Sequence, residues 1–284
     1  MIDVKELRFR YPGHKHYTLK GLDFHIPQGE IFGFLGPSGA GKSTTQKILI
    51  GMLKQYEGSV SILGKQLREH GRNYYNSIGV AFEFPNFYSR FTALENLNLF
   101  RSLYDVPTEE PENLLAQLSL SEYGRTKVSD FSKGMKMRLN LCRALMHRPD
   151  ILFLDEPTSG LDPVNASTVK DIILQQKAMG KTVILTTHNM FAAEELCDRV
   201  AFIVDGEIKL IDAPRELKVR EGKKAVTVEY REGTALKRAD YRLDGIADNE
   251  AFQGLLRAGS IETIHTQEAT LDQLFIRVTG RTLT

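Results

Sequence analysis

The stretch IFGFLGPSGAGKST, residues 31–44, restricts the possible folds of this chain more than any other. Its opening run, IFGFL, is apolar throughout, as a strand buried on both faces of a parallel sheet is. GPSGAGKS follows at once with the spacing G-x-x-x-x-G-K-[ST], and a helical pattern begins near Lys42. A strand, a glycine-rich loop and a helix in that order belong at the carboxyl edge of a parallel sheet flanked by helices. The residue types suit a bound phosphate. Glycines at 36, 39 and 41 let the backbone turn tightly enough for successive N–H groups to face one anion. The helix N-terminus adds positive potential at the same place. Lys42 can reach the β- and γ-phosphates of a nucleotide, and the Ser43 hydroxyl is a hard oxygen ligand suited to Mg2+.

A second apolar run, ILFLD at 151–155, ends in two acids, Asp155 and Glu156. A strand there carries both carboxylates to the sheet edge where ligands bind in open α/β sheets. Asp155 is expected to hold Mg2+, directly or through water, and Glu156 to accept the proton of an attacking water.

Further strand patterns at SVSILG, SIGVAFEF and TVILTT alternate with helical ones at 132–147, VNASTVKDIILQQKAMG and MFAAEELCD, so the core is a mainly parallel α/β sheet. VKELRFRY places Val4, Leu7, Phe9 and Tyr11 on a loosely alternating face, as an edge strand would, and Leu22, Phe24 and Ile26 share a face in LDFHI. These make an antiparallel subdomain. Leucines at three and four spacing between about 86 and 130 read as a helical insertion, and RVAFIVDGEIKLIDA as a hairpin turning at Asp205-Gly206. After Pro214 comes a charged stretch, PRELKVREGKK, then an alternating strand AVTVEY and two helix-like segments, DNEAFQGLLRAG and ATLDQLFIRVTG. The division expected is one domain over 1–215 and a small α+β appendix over 216–284.

The net charge of +1 gives no electrostatic footprint for nucleic acid. Cys142 and Cys197 have neither disulfide-framework nor metal spacing, and His14 and His16 read as a surface loop. No apolar run approaches the roughly 18 residues of a membrane-spanning helix, and MIDVKELRFRYPG has no signal-peptide core. The expectation is a cytosolic chain that, if it works on a membrane, does so through a partner.

Together these motifs resemble the nucleotide-binding domain of ABC transporters over about residues 2–215, with a P-loop NTPase core. The resemblance makes GPSGAGKST the Walker A loop, so that Gly36, Pro37, Ser38, Gly39, Ala40, Gly41, Lys42, Ser43 and Thr44 bind ATP. It places Tyr11 where the adenine-stacking aromatic lies, SGLD (159–162) at the D-loop, and His188 at the switch histidine that senses the γ-phosphate. Glu83 stands where the family usually has a lid Gln; a carboxylate keeps a metal role beside Ser43 and Asp155. FSKGM (131–135) stands where Leu-Ser-Gly-Gly-Gln is common. Ser132 and Gly134 are retained, and in the family this signature faces ATP on a second ATP-binding subunit. Lys133 sits at the positive end of a helix dipole, and nothing in the sequence explains it.

The resemblance further implies a separate transmembrane permease subunit, contacted through the aromatic segment FPNFYSRF (84–91), and a pair of copies of this chain. The same segment also fits aromatic packing within the insertion. The appendix and FSKGM followed by KMRL resemble the ABC-2 type exporter group. Two other readings remain open at this level. A soluble ABC ATPase of translation or DNA repair would carry two such domains or a long coiled coil, and only 90 residues separate Lys42 from Ser132. A nucleotide-gated regulatory module with little hydrolysis would be distinguished by an ATPase assay.

Overall fold

The structure is a computed structural model describing residues 1–221, 224–267 and 269–281. The expected appendix has parts at 222–223, 268 and 282–284 that lie outside the described residues. The chain divides into two compact units, one of residues 1–213 with Arg281, the other Pro214–Gly280.

In the first unit an antiparallel sheet is built from β1 (Ile2–Phe9), β2 (Leu19–Ile26), β4 (Glu57–Ile62) and β5 (Lys65–Gln66), in the order β2-β1-β4-β5. The expectation of an edge strand at the N-terminus is corrected here: β1 pairs with both β2 and β4. The loose spacing of Val4, Leu7 and Phe9 comes instead from a bulge. Glu6 is left-handed, with φ 49°, and the extra residue shifts the inward face by one. Tyr11 falls beyond the strand.

The second sheet holds β3 (Ile31–Leu35), β6 (Ile78–Ala81), β7 (Ile151–Asp155), β8 (Thr182–Thr187), β9 (Arg199–Val204) and β10 (Glu207–Asp212), ordered β10-β9-β3-β8-β7-β6. All neighbours are parallel except the β9–β10 hairpin. Asp205 and Gly206 turn that hairpin with φ of 51° and 78°, the left-handed pair a tight two-residue turn requires. Every residue of β3 is buried, as its unbroken apolar run demands. Phe24 of β2 packs edge-on against Phe34 of β3 at 5.3 Å, joining the two sheets through one apolar core.

Helix α1 (Lys42–Leu49) follows the glycine loop. The insertion contains α2 (Ala93–Arg101), started by a Thr92–Glu95 capping box, and α3 (Pro111–Gln117). Both contact α4 (Lys133–Leu145), which packs on β6. Asp162 caps α5 (Pro163–Ala178), and Asn189 caps α6 (Met190–Leu196). Both cysteines are buried free thiols.

In the second unit the charged stretch after Pro214 is a helix, α7 (Pro214–Glu221), where the sequence pattern showed only charge. The sheet β12-β11-β13 comprises β11 (Ala225–Glu232), β12 (Ala235–Arg242) and β13 (Ile261–Thr266), with α8 (Glu250–Ala258) and α9 (Leu271–Thr279). This is the small α+β appendix expected.

Candidate functional site

The loop after β3 and the carboxyl ends of β7 and β8 meet at one sheet edge, because these strands are parallel neighbours. A cavity of about 470 Å3 opens there, lined by residues 38–44, Tyr11, Glu83, Asp155, Glu156 and His188, and by His14 and Thr18. No motif of the sequence points to His14 or Thr18 as site residues. They reach it through the loop joining β1 to β2, for which the sequence offers no periodic signal. Gly36 and Pro37 lie behind this lining. A Cβ on Gly36 would stand 2.1 Å from Ile203 O, so only glycine lets the loop start this close to β9. Lys42 Nζ donates to Gly36 O at 2.6 Å and Pro37 O at 3.0 Å. Burial pushes its pKa down, against the opposing pull of Glu156, Asp155 and Glu83. Tyr11 stacks edge-on with Phe9 at 4.8 Å, and its hydroxyl lies 3.2 Å from Thr44 Oγ1, which fixes the ring at the cavity mouth.

Glu156 adopts φ 50°, a left-handed conformation costly for a residue with a Cβ. Its backbone N–H donates to Thr186 O at 2.9 Å, and its carboxylate is held at the end of β8. Oε1 accepts from the His188 N–H at 2.9 Å and lies 2.7 Å from His188 Nδ1; Oε2 accepts from Thr187 Oγ1 at 2.8 Å. The carboxylate is thus oriented by three groups of one strand end, and His188 keeps most of its ring exposed.

Asp155 sits one residue earlier, hydrogen-bonded by the Thr186 hydroxyl. That hydroxyl also lies 3.3 Å from Gln46 Oε1, while the buried Gln46 Nε2 has no hydrogen-bond partner among the described residues. Burial raises the Asp155 carboxyl above the ordinary range; Thr186 and Lys42 oppose the shift. A folded-state pKa above the unfolded one favours folding only below the ordinary carboxylate pKa, and the benefit is lost as pH rises through the raised value. At neutral pH the ionised Asp155 is therefore a cost to the nucleotide-free fold. Asp155→Asn is expected to raise the unfolding temperature at neutral pH in scanning calorimetry without nucleotide. A lower unfolding temperature would contradict this.

The Ser43 hydroxyl and the Glu83 and Asp155 carboxylates line the same cavity, an all-oxygen set of the kind Mg2+ takes. No group of three or more His, Cys, Asp or Glu that could hold a metal forms among the described residues. A cation here would depend on the hydroxyl and on the oxygens of a bound phosphate as well.

Ser132 and Gly134 do not line this cavity. Ser132 is the N-cap of α4, its Oγ accepting from Met135 N at 3.1 Å, and it is exposed. The structure gives Lys133 a contact. Gly160 of the SGLD loop has φ +72°, and a Cβ there would meet Lys133 Cδ at 3.1 Å and Cε at 3.2 Å. A Cβ on Gly134 would stand 3.1 Å from Leu161 Cδ2. The signature loop and the SGLD loop of one chain therefore pack together, and the Lys133 stem covers the glycine between them. Segment 84–91 divides between both readings. Phe87 packs against Phe100 at 6.0 Å under the Arg143 guanidinium, whereas Phe84 is 72% exposed and Tyr88 and Phe91, in ring contact with each other, are exposed as well.

Residues 19–159 match the family model described as ABC transporter, and residues 224–268 match that of the fluoroquinolone efflux ABC transporter C-terminal domain. Across its whole length the chain is 52% identical to a fluoroquinolones export ATP-binding protein of Mycobacterium tuberculosis (strain ATCC 25618 / H37Rv), covering 95% of that protein. It is 35% identical to Nod factor export ATP-binding protein I of Burkholderia thailandensis, over 99% of this chain and 97% of the relative. Among solved structures, an ATP-binding subunit of an ABC transporter aligns with TM-score 0.70 and 29% identity, covering 78% of this chain and 93% of the other. A dimeric ATP-binding cassette in a post-hydrolysis state with ADP and Pi aligns with TM-score 0.67 and 26% identity, covering 75% and 98%.

Proposed function

Because this chain belongs to the family of ABC transporter ATP-binding proteins, we propose that it is the ATP-hydrolysing subunit of a membrane exporter. The observation that carries this reading is one cavity lined by the phosphate loop, two metal-type carboxylates and a glutamate fixed by His188. In this reading residues 36–44 cradle the phosphates and Tyr11 stacks on the base. Ser43, Glu83 and Asp155 hold Mg2+, which when bound offsets phosphate charge. Glu156 takes the proton of the attacking water, and His188 both orients Glu156 and senses the γ-phosphate.

Ser132 and Gly134 stand at an exposed helix N-terminus outside their own cavity. This suits a head-to-tail pair in which each signature closes the other copy's ATP site. Lys133 on Gly160 ties that signature to the SGLD loop of its own chain. No helix among the described residues is long and apolar enough to cross a membrane. The permease is then a separate subunit, docked on the exposed aromatics Phe84, Tyr88 and Phe91, and it holds this chain at the cytoplasmic face. The substrate class proposed is that of the 52%-identical relative, a fluoroquinolone.

Co-expression with a candidate membrane subunit tests the assembly. The two are expected to copurify in detergent with Mg2+-dependent ATPase activity. Replacing Phe84 and Tyr88 by Ser is expected to break copurification while sparing ATP turnover by the chain alone. Copurification unaffected by the double substitution would remove the docking assignment.

A further inference from the structure

The Thr186 hydroxyl is fully buried at the end of β8 and has one proton to share between two oxygens. One is Asp155 Oδ1. Asp155 and Thr186 are paired on adjacent parallel strands, and an ionised carboxylate offers only lone pairs, so the hydroxyl must donate to it. The other is Gln46 Oε1 at 3.3 Å, which then faces the hydroxyl oxygen lone pair to lone pair. At the same time Gln46 Nε2, with two donors, is buried and has no hydrogen-bond partner among the described residues. A half-turn of the carboxamide, which exchanges two atoms of nearly equal size, removes both conflicts. Nε2 then donates to Thr186 Oγ1, and Thr186 donates to Asp155. The carbonyl oxygen left over is the milder defect, since buried carbonyls go under-satisfied more readily than N–H groups.

This chain of donors joins the elements that make the site. Gln46 is on α1, three residues after Ser43 and so on the same helix face. Thr186 meets both acids: its carbonyl accepts from the Glu156 N–H, and its hydroxyl holds Asp155. With Oδ1 so engaged, Asp155 Oδ2 makes no hydrogen bond among the described residues and is left for a cation. Packing does not call for an amide at position 46, which is 2% exposed between the buried Thr45 and Ile48. An apolar side chain of the same length would fill that space with no orphaned polar end.

We infer that Gln46 is a positioning residue for the metal: its amide commits the Thr186 hydroxyl to Asp155 and so fixes the carboxylate that receives Mg2+. The inference rests on the reading of Asp155 as a metal ligand under the proposed function. Gln46 touches neither metal nor nucleotide in it, and acts only through Thr186.

Mn2+ binding to the full-length protein saturated with ADP, followed by electron paramagnetic resonance, tests it without any need for turnover. Thr186→Val is expected to weaken Mn2+ about ten- to a hundredfold, and Gln46→Met about three- to tenfold. Thr186→Ser, which keeps the hydroxyl, is expected to stay within twofold of the unmodified protein. The Gln46→Met, Thr186→Val double variant is expected to bind Mn2+ no more weakly than Thr186→Val alone, because Gln46 has nothing to act through once the hydroxyl is gone. ADP affinity without metal is expected to change less than twofold in all of them, and a merely structural amide would not produce that split. Unchanged Mn2+ affinity in Gln46→Met, losses that multiply in the double variant, or equal losses with and without metal would overturn the inference. Absence of any saturable Mn2+ site in the unmodified protein would instead remove the metal assignment itself, and this inference with it.

Discussion

Glu156→Gln is expected to lower ATP turnover by about two to four orders of magnitude while leaving ATP affinity within a few-fold of the unmodified protein. The amide keeps the size of the side chain and its carbonyl can still accept a hydrogen bond, but it cannot take a proton from water. The geometry favours a clean effect. The left-handed backbone at Glu156 and the three donors from Thr187 and His188 set the side chain's position before any ligand arrives. Gln inherits most of that frame, so lost turnover would report lost chemistry and not a displaced loop. Single-turnover hydrolysis beside equilibrium nucleotide binding separates the two. Turnover at the unmodified rate would remove Glu156 from the role of base.

Lys42→Ala is expected to fail one step earlier, weakening ATP binding by about two to four orders of magnitude. Two charge-assisted hydrogen bonds to phosphate oxygens are worth roughly 1.5–3 kcal/mol each. The ammonium is already poised by its bonds to Gly36 O and Pro37 O, and it lies among Asp155, Glu156 and Glu83, whose negative charge it offsets. Its removal leaves those carboxylates facing the phosphates with one cation fewer. Titration of a fluorescent ATP analogue reads the loss directly, and affinity within threefold of the unmodified protein would contradict this role.

The local motifs of this site are written in contiguous sequence. IFGFLGPSGAGKST specifies strand, loop and helix within fourteen residues, and ILFLDEP delivers two carboxylates by extending a buried strand. What the sequence could not show depends on contacts between distant positions or on backbone conformation. Lys133 looked misplaced because its partner, Gly160, lies 27 residues on and is accessible only through a left-handed turn. The bulge at Glu6 disguised a central strand as an edge, since one extra residue breaks period-two alternation. In the second unit, ALKRADYR forms β12 with mostly exposed side chains. Its place is set by pairing with β11, and an apolar periodicity never develops. His14 enters the candidate site by loop geometry, which carries no pattern to read.

In the proposed assembly two copies close head to tail on ATP, each presenting Ser132 and Gly134 to the other. Light scattering on size-exclusion-purified Glu156→Gln protein tests it most directly, because slow hydrolysis should preserve the closed pair. With Mg2+-ATP the mass is expected to be twice that of the 32.1 kDa chain, returning to one chain with ADP, and Ser132→Arg is expected to abolish the shift. A single-chain mass with saturating ATP, or a dimer indifferent to nucleotide and to Ser132→Arg, would contradict it.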